Sequence, residues 1–510
     1  MKNLGFDNLI RNEERALPIC AGELRALHFP VAARENYLST DREEIAARQE
    51  MFRDLLAHPE LVDLLVTIRE NASHLSEMVR KSGLFHDISQ EELLYSFREL
   101  LLYTDTVGLI AEKGDPLSGK LCSARLKAFF VRGKEIVGTK EFENVKGWIE
   151  GLESKLRTIK SLTLGVNLNA QLQAEEIGIV SINDQPFRGS TKFERIFKDK
   201  SKFDGYTVLA PLGIRDGGIT AQNALRIDQV FYGGMNDIVR RSMMNVKRHF
   251  SEEMQKGIFS LCALSDDLAF LLSGARFVQK LAEAGLPLTF PEFGGADVIK
   301  RLYDPLLLDK ISKSDIVPSD VSFDDEKRSY ILTGPNSGGK SVYMQSIGVA
   351  YLLFQFGLPV PASSAKMRPF DSIVTHFVEG TVQSTESRLA NETARLKDSL
   401  SRLHGRALLL LDETFSGTNA YDALLLAEAL MRYIEKKGVC ALYITHLHEL
   451  TESVLRDGEK YRHVKLLSAK IEGQKRTYEI VPYTGGHISS DFAKDVVVEN
   501  GLGFLFEENG

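Results

Sequence analysis

The sequence predicts an α/β protein: a C-terminal domain organised around a strand, a glycine loop and a helix, preceded by a mostly helical region with a small β-containing insertion. Three observations predict it. Apolar residues recur at helical spacing up to about residue 155, the period shifts toward alternation near residue 158, and beyond residue 301 short apolar runs end in polar clusters.

Composition narrows the classes. With 510 residues and 43% hydrophobic content the chain can bury large cores; this length suits roughly two to four domains. A net charge of -7 excludes the global basic excess of a nucleic-acid coat protein, so any basic surface is local. Cys20, Cys122, Cys262 and Cys440 lie far apart, without a CxxC pair or zinc-ligand spacing, which fits a reducing cytoplasm. The N-terminus has no apolar core of signal-peptide length, and no stretch is expected to reach the ~18–20 apolar residues of a membrane span. A soluble protein without a membrane partner is expected.

The elements follow in order. "DREEIAARQEMFRDLLAHPEL" places Ile45, Phe52, Leu55, Leu56 and Leu61 near helical spacing with charges between them. "IKSLTLGVNLNAQLQAEEIGIVSIND" then reads as two short strands around a turn, and "DGYTVLAPL" as a third. From Asn236 to Ala284 apolar residues recur at threes and fours. Periodicity there fits a single helix on the order of 70 Å long and, equally, a bundle helix broken at Gly257 or Gly274.

The C-terminal region carries the chemistry. In "SYILTGPNSGGKS", Gly334 is followed by four residues and then Gly339, Lys340 and Ser341, between a strand pattern and a helix pattern. Such a loop turns backbone N–H groups onto phosphate oxygens. Gly334, Pro335, Asn336, Ser337, Gly338 and Gly339 form the cradle, Lys340 bridges the β- and γ-phosphates, and the Ser341 hydroxyl ligates Mg²⁺. "RALLLLDETFSG" reads as a buried strand ending in Asp412, on the Mg²⁺ side, and Glu413, placed to polarise water. "GVCALYITHLHEL" ends in Thr445 and His446, where a polar group senses the γ-phosphate. Together these imply hydrolysis of ATP, with ATP and Mg²⁺ as cofactors.

A local basic stretch stands apart from this. "RGSTKFERIFKDKSK" sets Arg188, Lys192, Arg195, Lys198, Lys200 and Lys202 against Glu194 and Asp199, with Phe187, Phe193, Phe197 and Phe203 interleaved. It is a candidate for phosphate contacts with nucleic acid; a solvated basic face over a small phenylalanine core fits the same composition. Arg240, Arg241, Lys247 and Arg248 are a weaker candidate.

"TGPNSGGKS", "LLLLDETFSGTNAYDALLLAEAL" and "YITHLHELT" resemble the ATPase domain of the MutS proteins, with Asn336, Gly417, Thr418, Asp422, Ser384 and Thr385 in register and Glu392, Thr393 and Ala394 downstream. The resemblance is specific over about 310–500 and weaker upstream. It implies an ABC-like P-loop ATPase domain over 301–510, a helical core and lever over 41–300 with a clamp-like insertion near 158–235, and an N-terminal helical segment over 1–40. It also implies a homodimer closing on double-stranded or branched DNA, with Ser384 and Thr385 covering the partner's nucleotide. An ATP-dependent binder of structured RNA or the ribosome is the alternative, and a protein-interaction scaffold a third reading. The chain departs from the family pattern at Phe415, where a glycine is usual, at Ala423 and at Glu386. It is expected to be a divergent member without the mismatch-reading, connector and Smr domains.

Overall fold

The computed structural model describes residues 37–82, 90–158, 160–171, 174–186, 252–377, 388–472 and 475–485, together with Phe6, Asp7, Leu9, Ile10, Leu27 and Val31. Among them are ten α-helices and twelve strands, so the chain is α/β as expected. Two compact units divide it: Met1–Leu9, Asp63–Leu121 and Leu126–Leu268 form one, and Ile10–Val62, Cys122–Arg125 and Ala269–Gly510 the other.

Helix α1 (Arg42–Ala57) belongs to the second unit and starts at Asp41, whose carboxylate accepts the Glu43 N–H at 2.9 Å. Its buried Asp54 accepts the N–H groups of Cys122 and Ser123 at 2.7 and 2.8 Å, in the chain just before a later helix.

The first unit is helical. It holds α2 (Pro59–Ser82, from Asp63 on), α3 (Gln90–Ser118), α4 (Ala124–Val137, from Leu126 on) and α5 (Lys140–Thr158). Leu65, Ile68, Tyr103, Ile110, Phe130 and Phe142 are among its buried residues. The strands read from the alternation after residue 158 are present: β1 (Ser161–Leu168) pairs antiparallel with β2 (Ala174–Asn183). The third, over 204–212, lies outside the described residues.

Helix α6 (Glu252–Glu283) runs 32 residues without a break at Gly257 or Gly274. A Cβ on Gly274 would stand 2.6 Å from Phe52 Cε1, so glycine there serves close packing, not a bend. One sequence expectation is corrected here. Met254–Glu283 is long and apolar enough to cross a membrane by length and composition, although 56% of its most apolar window is buried inside the protein, as in a core helix.

The second unit contains two sheets. The smaller has the order β3 (Glu292–Phe293), β7 (Ser364–Met367), β4 (Asp297–Leu302), β5 (Ser319–Phe323). The larger has the order β12 (Lys475–Pro482), β11 (Val464–Glu472), β6 (Ser329–Thr333), β10 (Cys440–Ile444), β9 (Ala407–Asp412), β8 (Ser372–Phe377). All its pairings are parallel except β11 with β12. Strands β6 and β10 are buried at every residue, which explains their unbroken apolar sequence.

Helix α7 (Lys340–Gln355) is buried nearly all round, while α8 (Arg388–Ser401) and α9 (Ala420–Lys437) are amphipathic. Helix α9 is capped by Asn419, which accepts the Asp422 N–H at 3.0 Å, and ends at Gly438 with φ 69°. Helix α10 (His448–Arg456) follows β10.

A buried carboxylate ties the two sheets. Asp297, at the start of β4, accepts the Arg368 N–H at 2.7 Å and the Arg368 guanidinium at 3.2 Å, and also the guanidinium of Arg406. Arg406 lies over the Phe370 ring at 3.8 Å and immediately precedes β9. Asp297→Ala would leave both arginines without this acceptor, and is expected to cost about 3 kcal/mol in urea unfolding. His376 near the end of β8 is buried, and burial, then Arg395 and Arg402, push its pKa down to about 4 from the ordinary 6.5. The unfolded chain then takes up a proton that the native state refuses. Stability is therefore expected to fall as pH drops from 6.5 toward 4, by up to about 3 kcal/mol, and His376→Gln to flatten that limb in pH-dependent unfolding.

Candidate functional site

Register builds the site. Ile444 stands opposite both Leu332 and Asp412, so the carboxyl ends of β6, β10 and β9 finish in one row and their next residues converge. From β6 the chain enters the glycine loop, where Gly334 (φ 126°) and Gly339 (φ 88°) take backbone angles closed to most side chains. A Cβ on Gly334 would also meet Ala469 of β11 at 3.1 Å.

Lys340 opens α7 and turns back on the loop. Its Nζ donates to the carbonyls of Gly334 and Pro335, both at 2.9 Å. Burial holds its pKa below the usual lysine range, opposed by the negative charges of Glu413 and Asp412. The Ser341 hydroxyl donates to Asp412 Oδ2 at 3.0 Å. The Asp412 carboxyl is pushed up by burial, against the pull of the Ser341 hydrogen bond.

Glu413 and His446 meet at 3.1 Å, Oε1 to Nε2. Burial first and Lys340 second lower the His446 pKa, and Glu413 partly restores it. The neutral imidazole, in its Nε2–H tautomer, donates to the carboxylate and fixes its direction. Glu413 (φ 52°) and Phe415 (φ 73°) are left-handed without being glycine, a cost on the order of 1–3 kcal/mol each. Backbone strain so close to charged groups marks the turn as a place where geometry is imposed.

A cavity of about 900 Å³ opens beside the loop. Asn336, Ser337, Gly338, Gly339, Lys340, Ser341 and Glu413 are among the residues that line it. Gly334 and Pro335 contribute their carbonyls to Lys340, and Asp412 and His446 are hydrogen-bonded to Ser341 and Glu413. Ser384, Thr385, Arg188, Lys192, Arg195 and Lys198 lie outside the described residues, as does the basic cluster 240–248. Sequence reading missed other lining residues, among them Leu302, Tyr303, Leu307 and Val317, and it missed Tyr478, 47% exposed at φ 60° and close to Gly339. No local motif announces those residues.

The donors suit a hard cation. Ser341 Oγ and the Asp412 carboxylate are oxygen ligands of the kind Mg²⁺ takes, and burial of Asp412 disfavours its charge unless a cation stands nearby. Thr333 Oγ1, buried just before the loop, has no hydrogen-bond partner among the described residues. Among those residues no group of three or more His, Cys, Asp or Glu side chains is arranged to hold a metal ion.

A glycine loop between a central parallel strand and a helix, with an acidic pair at the end of a nearby strand, defines a P-loop α/β domain. Comparison with known families is specific. Residues 330–487 match MutS domain V, and residues 40–284 match the MutS2 N-terminal domain. The chain belongs to the MutS family, as a divergent member. It is 35% identical over 205 residues to the DNA mismatch repair protein MutS of Lactobacillus delbrueckii subsp. bulgaricus, covering 39% of this chain and 24% of the relative. The protein of the same name from Fervidobacterium nodosum is 36% identical over 207 residues, covering 39% and 24%. That of Macrococcus caseolyticus is 25% identical over 324 residues, covering 61% and 35%. The chain thus spans a quarter to a third of these relatives' length.

Proposed function

We propose that this chain is a Mg²⁺-dependent ATPase, hydrolysing ATP to ADP and phosphate, that works as a homodimer on double-stranded or branched DNA and lets nucleotide control closure around it. The observation that carries the ATPase reading is the convergence of Lys340, Ser341, Asp412, Glu413 and His446 at one edge of a parallel sheet, beside a cavity large enough for a nucleotide. The name shared by the relatives supports DNA as the partner.

In this reading 301–510 is the motor, 41–300 the core and lever with the clamp-like insertion near 158–235, and 1–40 a leading helical segment. Its setting is the cytoplasm. Ser384 and Thr385 cover the partner's nucleotide, and Arg188, Lys192, Arg195 and Lys198 contact nucleic-acid phosphates.

The residues divide the work. Lys340 exchanges its two loop carbonyls for β- and γ-phosphate oxygens, so its ammonium passes from one set of acceptors to another without entering bulk water. Mg²⁺ held by Ser341 and Asp412 would supply charge neutralisation at the phosphates. Glu413, aimed by His446, accepts the proton of the attacking water. The neutral state of His446 matters, because an imidazolium would draw negative charge away from that base.

Two experiments test this. Lys340→Ala is expected to weaken ATP binding at least about tenfold, whereas Glu413→Ala should retain binding and lose turnover, with calorimetry and phosphate release as readouts. Full-rate hydrolysis by Glu413→Ala would show that another group activates water. Reversing Lys192, Arg195 and Lys198 to Glu should weaken binding to homoduplex, mismatched and junction DNA together, and flatten the dependence of log affinity on log salt by roughly two to three units. An untouched slope, or a preference for structured RNA at equal salt, would move recognition to other residues or another nucleic acid.

A further inference from the structure

We propose that Glu392 on α8 is a positioning residue for Glu413, acting through the main chain of the turn that follows β9. The inference rests on Glu413 as the water-activating base.

Residues 413–416 form a short turn whose first and third members are left-handed non-glycines. A turn of that shape keeps its form only if outside contacts specify it. Three hydrogen bonds from outside do so, beside one within the turn. The Glu413 N–H donates to the Ile444 carbonyl at 3.0 Å, and the Ser416 N–H to the Glu413 carbonyl at 3.1 Å. The hydroxyl of buried Tyr443 donates to the Thr414 carbonyl at 2.8 Å. The Phe415 N–H donates to Glu392 Oε1 at 2.6 Å.

The last differs in kind. It joins the turn to a helix 23 residues away in sequence, through a side-chain oxygen that accepts the Phe415 amide directly. It also acts on Phe415 itself, whose φ is 73°. The Phe415 side chain, 3% exposed, belongs to the same apolar cluster as Leu396, one helical turn along α8 from Glu392. Helix α8 thus secures Phe415 by its amide while the cluster that includes Leu396 holds its ring. With residues 414 and 415 fixed, the Glu413 side chain has one direction, toward His446 Nε2 and the cavity. Releasing the Phe415 amide lets the turn relax toward right-handed angles, which swings that carboxylate away from both.

The test compares full-length wild type with Glu392→Ala, Glu392→Asp and Glu392→Gln. Glutamine keeps an acceptor oxygen at the same reach; alanine has none, and aspartate is one methylene too short. In the alanine and aspartate variants kcat is expected to fall about 10- to 100-fold, with KM for ATP within about twofold of wild type, because displacing a reacting group by about 1 Å costs on that order. Glu392→Gln should stay within about threefold of wild type in both constants. In nucleotide-free protein, amide exchange of peptides covering 413–416 should speed up in the alanine and aspartate variants and not in the glutamine variant.

Unchanged kcat and exchange in Glu392→Ala would overturn the proposal, and so would equal losses in the alanine and glutamine variants. Should Glu392→Ala not fold, Glu392→Asp against Glu392→Gln decides by the same criteria. Absence of hydrolysis by wild type would overturn the reading of Glu413 itself, whereas wild-type hydrolysis with an unaffected Glu392→Ala overturns the role of Glu392 alone.

Discussion

The second unit depends on one buried carboxylate. Asp297 is fully buried, yet it accepts from Arg368 and Arg406, and the latter leads straight into β9. A charge in that position costs several kcal/mol unless it is paired, so the two arginines are obliged to come to it. In coming, they fix the small sheet to the start of the strand that delivers Asp412 and Glu413 at its far end. The six residues of β9 carry the chain from Arg406 to Asp412 at the strand's last position, all extended, and errors at one end would pass directly to the other.

Much of the site was legible because it is written in contiguous residues. The glycine loop, the four leucines before Asp412 and the apolar run before His446 each show their own strand and their own polar end, and parallel pairing does the rest. The two strands at 161–183 were legible for the same reason, by local alternation. What sequence could not show is whatever depends on partners distant along the chain. Nothing near Phe415 announces that Glu392 will hold its amide, and a phenylalanine gives no hint of φ 73°. Nothing in the sequence around Tyr478 ties it to the glycine loop, to which β12 brings it. The length of α6 was ambiguous because glycine in a helix has two meanings; packing of Gly274 against Phe52 selects one of them. Its apolar length is hard to read locally, because charges such as Asp266 and Asp267 interrupt it.

The electrostatics of the site share one cause. Lys340, Asp412 and His446 are each shifted by burial toward their neutral forms, and each is restrained by a neighbour of the opposite tendency. The site therefore holds charge in a strained balance, in which the ammonium is satisfied by its own loop and the carboxylate by a hydroxyl. Such an arrangement favours an incoming molecule that brings both anionic oxygens and a cation, since it can satisfy every member together.

The strand order has a consequence for how the chain is made. Strand β6 lies between β10 and β11, and its Ser329 pairs with Ala441 on one side and Val464 on the other. When synthesis has just passed the glycine loop, an apolar strand destined for the middle of the sheet has neither neighbour, and more than a hundred further residues must emerge before the first arrives. At the ~5–20 residues per second of translation, that interval lasts several seconds. During it β6 and the largely apolar α7 are exposed together, the kind of surface that chaperones shield. A ribosome stalled between residues 340 and 440 would be expected to hold a nascent chain far more prone to aggregation than one stalled shortly after residue 470.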